Sequence, residues 1–117
     1  MEITREIVVP AERDDVWDAL TDAERLGEWF ANDVELDARP GGAGVFRWEN
    51  GEERRATVEA VESGELLVLR WEDDGGLVEL RLEDDAAGTR VLVRETSPEW
   101  SAALGLLALA LSPCATA

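Results

Sequence analysis

VWDALTD at residues 16–22, followed by Trp29-Phe30 and then by Pro40-Gly41-Gly42, is the part of the sequence that decides the fold. Val16 and Leu20 are four residues apart, so they share one face of a short helix. Asp22 or Thr21 has the side chain of an N-cap for a second helix that runs to Trp29. The glycines after Pro40 permit the backbone of a tight turn. This order predicts a curved sheet that grips a long helix rather than a catalytic scaffold.

Seven segments have the pattern of strands. In the first, Ile3, Ile7 and Val9 share one face, and in the second, Val34 and Leu36 alternate with acids. Short loops such as Asn50-Gly51 separate the later segments, and short loops join antiparallel neighbours. The predicted strands cover residues 2–9, 33–37, 45–49, 56–61, 66–71, 77–82 and 89–95.

The end of the chain predicts one more helix, from about Pro98 to Leu111. It is the only element available to cover one face of the sheet. We therefore predict an α+β helix-grip fold: a curved seven-stranded antiparallel sheet wrapped around a C-terminal helix, with two short helices after strand 1, in one domain spanning residues 1–117. The helix is apolar nearly all round, so either a second subunit covers its back in a homodimer or its alanine-rich back faces water.

The charge and composition of the chain limit the kinds of partner that it can bind. Acids outnumber bases 27 to 11, for a formal charge of −16, which opposes binding to nucleic acid and to anionic membranes. The longest apolar run, residues 102–111, is about half of a membrane span, so no membrane insertion is predicted. Cys114 is the only cysteine, which excludes an intrachain disulfide. We expect a cytoplasmic protein without a signal peptide.

The ordered set of motifs resembles the SRPBCC superfamily (START-like, birch-pollen-allergen-like) and, within it, the AHSA-type domains named after the activator of the heat-shock-protein-90 ATPase. The resemblance spans roughly residues 2 to 100 and includes the three stretches quoted above and residues 58–71, where Val61, Leu67 and Trp71 occupy apolar strand positions. It implies a cavity between the sheet and the last helix, often used for apolar ligands; relatives include lipid carriers, polyketide cyclases and stress proteins. Many relatives carry a histidine near the end of the last strand, where this chain has Glu95.

The residue types present restrict the chemistry. The chain has no His, Tyr or Lys, so the usual general base, phenol-assisted catalysis and Schiff-base chemistry are missing. Carboxylates and arginines remain: Glu95 and Glu59 are candidates for an acid or base with a raised pKa in an apolar cavity, and Arg70 and Arg94 are candidate anion partners. Neither a catalytic residue, nor a metal site, nor a cofactor is predicted.

Five tryptophans dominate the aromatic content. A tryptophan offers a flat apolar wall and one N–H donor, which suits a cavity for a rigid apolar ligand, although the same residues also fill an ordinary core. We predict non-catalytic binding of a small hydrophobic or amphipathic molecule; the alternatives are a polyketide-cyclase-like or hydrolase-like enzyme with a buried carboxylate, and a co-chaperone-like interaction module. The predicted ligand-binding residues are Trp29, Phe30, Phe46, Trp48, Trp71, Trp100 and Leu104, with Arg70 or Arg94 at a polar end of the ligand.

Overall fold

The computed structural model describes residues 2–96 and residue 107. Seven antiparallel strands form one sheet in the order β1-β7-β6-β5-β4-β3-β2, so every neighbouring pair except β1 and β7 is also consecutive in the chain. Two helices follow the first strand, as predicted from the sequence. The elements are β1 Ile3–Val9, α1 Arg13–Thr21, α2 Ala23–Trp29, β2 Asp33–Leu36, β3 Ala43–Arg47, β4 Glu53–Glu62, β5 Leu66–Trp71, β6 Leu77–Asp85 and β7 Gly88–Glu95.

The predicted α+β fold, with seven antiparallel strands and two short helices after the first, is confirmed. The predicted terminal helix lies outside the described residues except for Leu107, which is helical and fully buried in the core. Among the residues that the structure describes, no helix is long and apolar enough to cross a membrane.

The two faces of the sheet differ because side chains alternate along each strand. The inner face carries the buried residues of the core, such as Leu67 and Leu69 of β5 and Leu80 of β6. Helix α1 contacts β6 and β7, and α2 contacts β2; the buried residues Val16, Ala19, Leu20 and Leu26 of the two helices belong to the same core cluster. The outer face carries mostly charged side chains.

Pro40-Gly41-Gly42 has a specific structural role beside an irregularity in β4. The pairing of β4 with β5 shifts register between Val58 and Ala60, and the turn is hydrogen-bonded to this point. The Gly41 N–H donates to the Val58 carbonyl, and the Val58 N–H donates to the Gly42 carbonyl, each at 2.8 Å. A Cβ on Gly42 would lie 2.1 Å from the carbonyl oxygen of Asp37, so only glycine fits there.

Strand β2 forms one free edge of the sheet and is tied to its neighbours by an arginine. The guanidinium of Arg47 on β3 donates hydrogen bonds to the carboxylates of Asp33 at 2.9 Å, Glu35 at 3.2 Å and Glu53 at 2.8 Å. These carboxylates, Glu53 first, raise the pKa of the Arg47 guanidinium above its usual range. Arg47 and then Arg55 hold the pKa of Glu53 below its ordinary value. Three carboxylates therefore share the guanidinium of Arg47.

Candidate functional site

Five of the predicted ligand-binding residues lie together. The ring of Phe30 is at the centre, 5.5 Å from Trp29, 5.4 Å from Phe46 and 5.5 Å from Trp48 between ring centres. The ring of Trp71 is 5.5 Å from that of Phe46, at 73°. Tilted and edge-on contacts at these distances are favourable aromatic geometries. We call this cluster of Trp29, Phe30, Phe46, Trp48 and Trp71 the aromatic wall.

Several elements place the wall. Trp29 is the last residue of α2 and Phe30 is its C-cap; Phe46 lies on β3 and Trp48 just beyond it, and Trp71 ends β5. Phe46 and Trp71 are fully buried, whereas Trp48 is half-buried. The predicted residues Trp100 and Leu104 lie outside the described residues.

A small surface pocket opens beside the wall. It has a volume of about 190 Å³, and Trp29, Phe30 and Trp48 are among its lining residues. The pocket is therefore lined by three of the predicted ligand-binding residues, whereas Phe46 and Trp71 are not among its lining residues.

Two of the three indoles in the wall donate to backbone carbonyls. The Nε1–H of Trp29 donates to the Ala19 carbonyl at 2.8 Å. Ala19 lies in the last turn of α1, where carbonyls have no partner within the helix, so this bond caps α1 and joins it to α2. The Nε1–H of Trp48 donates to the Phe30 carbonyl at 2.9 Å. Both indoles therefore have a structural role.

The third indole differs. Trp71 is 0% exposed, and its Nε1 is the only buried side-chain nitrogen or oxygen without a hydrogen-bond partner in the described part of the chain. A buried donor without an acceptor costs about 1–3 kcal/mol. Such groups are rare, and each calls for a physical explanation.

Arg54 lies on the same face as the wall and is a residue that sequence reasoning missed. Its cross-strand partner on β3 is the buried Phe46, which fixes it on the inner face. Its guanidinium carbon lies 4.1 Å from the ring centre of Trp71, within the range of a cation–π interaction. Extending the alternation of Val58 and Ala56 back by two residues would have found it in the sequence.

Arg54 is held by the turn between β5 and β6. Its Nε donates to Oδ2 of Asp73 at 2.9 Å and its Nη2 to Oδ1 at 2.8 Å, a bidentate pair. Nη2 also reaches Oδ2 of Asp74 at 3.5 Å. The Arg54 guanidinium holds the pKa of Asp73 below its ordinary value, mainly through these hydrogen bonds.

The two arginines predicted from the sequence are on the opposite face. Arg70 lies between the buried Leu69 and Trp71, and Arg94 lies between Val93 and Glu95, so the alternation of the strands turns both outward. Both line an outer-face pocket of about 270 Å³. The sheet therefore separates Arg70 and Arg94 from the aromatic wall, and Arg54 is the arginine beside it.

The two candidate carboxylates are also on different faces. Glu59 is on the outer face, hydrogen-bonded to Arg70. Glu95 is only 1% exposed. It lies on the inner face, because its cross-strand partner on β6 is the buried Val78. Of the two, only Glu95 has the burial that the enzyme alternative requires.

Comparison with known proteins gives a family and a set of similar structures. The family model for Activator of Hsp90 ATPase homolog 1-like proteins matches residues 10–104. A search of curated proteins gave no match. The solution structure of the AHSA1-like protein from Aeromonas hydrophila has a TM-score of 0.85 at 19% identity, covering 97% of this chain and 94% of that one.

Two further structures are similar over the same length of this chain. The Aha1 dimer from Colwellia psychrerythraea has a TM-score of 0.84 at 21% identity, covering 97% of each chain. DynU16, a putative protein in the dynemicin biosynthetic locus, has a TM-score of 0.84 at 25% identity; the match covers 97% of this chain and 48% of DynU16.

Proposed function

We propose that this chain, which belongs to the family of Activator of Hsp90 ATPase homolog 1-like proteins, binds a small hydrophobic or amphipathic molecule against the aromatic wall. The ligand stacks on the ring faces and edges of the wall, and its acceptor oxygen receives the N–H of Trp71. The role is binding, without a chemical step.

The unpartnered indole of Trp71 is the observation that carries this proposal. In a wall that serves only as core, each buried N–H is expected to find an acceptor, as those of Trp29 and Trp48 do. A ligand oxygen at Trp71 would remove a cost of about 1–3 kcal/mol and so contribute to affinity. Because Nε1 is covered in this structure, a neighbouring side chain must move to admit that oxygen.

Indole N–H correlation NMR of ¹⁵N-labelled protein tests the proposal. Each of the five indole signals is assigned by a Trp→Phe variant, and the protein is titrated with decanoate, a sterol, a flavonoid and 2-acetonaphthone. We expect one class of probe to move the Trp71 signal saturably, together with at least one other signal of the wall. Trp17, on α1 and outside the wall, is the internal control. A Trp71 signal that no probe moves, or that moves only in parallel with Trp17, contradicts the proposal.

An enzyme is the second candidate, because Glu95 is an inner-face carboxylate that is only 1% exposed. DynU16 comes from a biosynthetic locus, which makes a role in biosynthesis worth testing. In this reading Glu95 acts as an acid or base toward the bound molecule. The test is mass spectrometry of each bound probe after incubation: conversion by the wild type that Glu95→Gln abolishes, with binding retained, supports catalysis.

An interaction module receives less support. The family name refers to an ATPase activator, but among the described large hydrophobic residues only Val8 and Leu77 are exposed, and a docking surface needs a larger apolar patch. A homodimer through the C-terminal helix remains our proposal from its apolar sequence, alongside the Aha1 dimer; a monomer mass at every concentration in light scattering contradicts it. The cytoplasmic location stays a prediction.

A further inference from the structure

The arginine beside the wall is placed to recognise charge. Arg54 is on the inner face, its guanidinium lies over the ring of Trp71 at 4.1 Å, and its side chain is only 12% exposed. The indole N–H without a partner belongs to the same ring. A cation and a hydrogen-bond donor therefore meet at one end of the aromatic wall.

Two carboxylates that hold Arg54 lie near the surface and can be exchanged for a ligand. Asp73 and Asp74 are more than half exposed, at 55% and 51%, so water can solvate either carboxylate once it leaves the guanidinium, which reduces the cost of displacing it. A ligand carboxylate has the same two oxygens in the same geometry as the Asp73 side chain, so it can take its place on the guanidinium. Bonds between arginine and a carboxylate are stronger than those to a neutral acceptor, and more so when shielded from water.

We propose that the ligand is an apolar molecule with a terminal carboxylate or similar anionic oxygen group, which replaces Asp73 on Arg54 and accepts the N–H of Trp71. This inference rests on the proposed function and adds the chemical class of the ligand. The charge of −16 repels anions in general, so the cation at the wall is what makes an anionic ligand acceptable.

A matched pair of probes tests the inference. 2-Naphthoate and 2-acetonaphthone share the ring system and a carbonyl oxygen, and they differ in having a charged oxygen or a methyl group beside it. By calorimetry at pH 7 and 0.15 M NaCl, we expect the wild type to bind 2-naphthoate about tenfold more tightly, as a charge-assisted bond implies.

Three variants locate the effect. Arg54→Met should reduce the preference for 2-naphthoate to less than about twofold. Arg55→Met is the matched control, since it removes the same charge from the next residue of β4, whose side chain is 60% exposed and faces outward; its preference should equal that of the wild type. Asp73→Asn removes the competing carboxylate and should tighten 2-naphthoate binding about threefold without changing that of the ketone.

The outcomes separate the inference from the proposed function. Equal affinity for the two probes, or a preference that survives Arg54→Met, overturns the inference and leaves the proposed function standing. If neither probe binds the wild type or Asp73→Asn, both are overturned for this ligand class. Should Arg54→Met fail to fold, Asp73→Asn decides, because an unchanged ratio of the two affinities in that variant contradicts the exchange.

Discussion

Replacing two tryptophans of the wall by phenylalanine should have different effects, because their N–H groups differ. Trp71→Phe removes a donor that has no acceptor, and Trp29→Phe removes the donor to the Ala19 carbonyl, 2.8 Å away. Both residues are almost completely buried, so the loss of ring area is similar in the two variants. The comparison therefore tests the hydrogen bond, and the weaker cation–π contact of Arg54 with a phenylalanine at position 71 only reduces the expected difference.

The expected magnitudes follow from burial and hydrogen bonding. Each substitution removes roughly 40 Å² of buried apolar surface, a loss of about 1 kcal/mol. In Trp29→Phe the Ala19 carbonyl also loses its donor, which costs about 1–3 kcal/mol more. In Trp71→Phe the relief of the unpartnered N–H offsets the lost area by about 1–3 kcal/mol. The two area losses cancel, so we expect Trp29→Phe to be less stable than Trp71→Phe by about 2–6 kcal/mol.

Urea unfolding followed by far-ultraviolet circular dichroism measures both free energies in the absence of added ligand. The slope of the free energy against urea should be the same in the two variants, since a changed slope would indicate a change in the denatured state. If Trp71→Phe destabilises the protein as much as Trp29→Phe, within about 0.5 kcal/mol, then the indole of Trp71 has an acceptor in solution. In that case the observation behind the proposed function is refuted.

Three other predictions concern the turn, the ion pair and the net charge. Gly42→Ala should lower the free energy of unfolding by about 2–4 kcal/mol, because the new Cβ would lie 2.1 Å from the Asp37 carbonyl oxygen. The control is Gly27→Ala in α2, where the nearest atom to the new Cβ is 4.0 Å away; it should stabilise the protein by about 0.5–1 kcal/mol. Equal urea midpoints for the two variants would contradict the steric argument. Carboxyl NMR should find the pKa of Asp73 raised in Arg54→Met, since Arg54 lowers it; the pair thus stabilises the fold above the ordinary carboxyl pKa, and this stability is lost as the pH falls through the lowered value. Raising NaCl from 0.05 to 0.5 M should increase the melting temperature. Salt weakens both the repulsion among the acidic side chains and the attraction within the surface ion pairs, and at a net charge of −16 the loss of repulsion is the larger effect. A melting temperature that falls with added salt would refute this.

Most of the described helices and strands could be predicted from the sequence because each has a local period of apolar residues. Alternation alone identifies β2 and β7, and the spacing of Val16 and Leu20 identifies α1. The alternation predicts that β4 begins at Ala56, whereas the strand begins at Glu53. The charged residues there resemble a loop, and only pairing with β3 makes them a strand. That error hid the inner-face position of Arg54.

The sequence predicts which aromatic residues lie together better than it predicts which charged residues lie beside them, and the binding of a ligand by this cluster stays a prediction. Large aromatic side chains on the inner face pack together because burial brings them into the core, whatever their hydrogen-bond acceptors are. The wall could therefore be predicted. The outward direction of Arg70 and Arg94 follows from their alternation with the buried Trp71 and Val93, so the strand pattern argues against the predicted role of both arginines at the wall. The acceptors of the indoles could not be predicted, because the Ala19 carbonyl is brought to Trp29 by the packing of two helices and has no sequence signature.

The arrangement around Arg47 also bears on how the protein behaves in crowded solution. An exposed edge strand is a template on which another chain can add a strand, the first step toward fibrils. At the β2 edge, Asp33 and Glu35 share Arg47 with Glu53, so the edge keeps an excess of negative charge while it is held in register. Two such edges repel one another when they meet. The cluster that positions β2 thus also protects the folded protein from aggregation, and neutral residues at 33 and 35 would remove that protection without unfolding it.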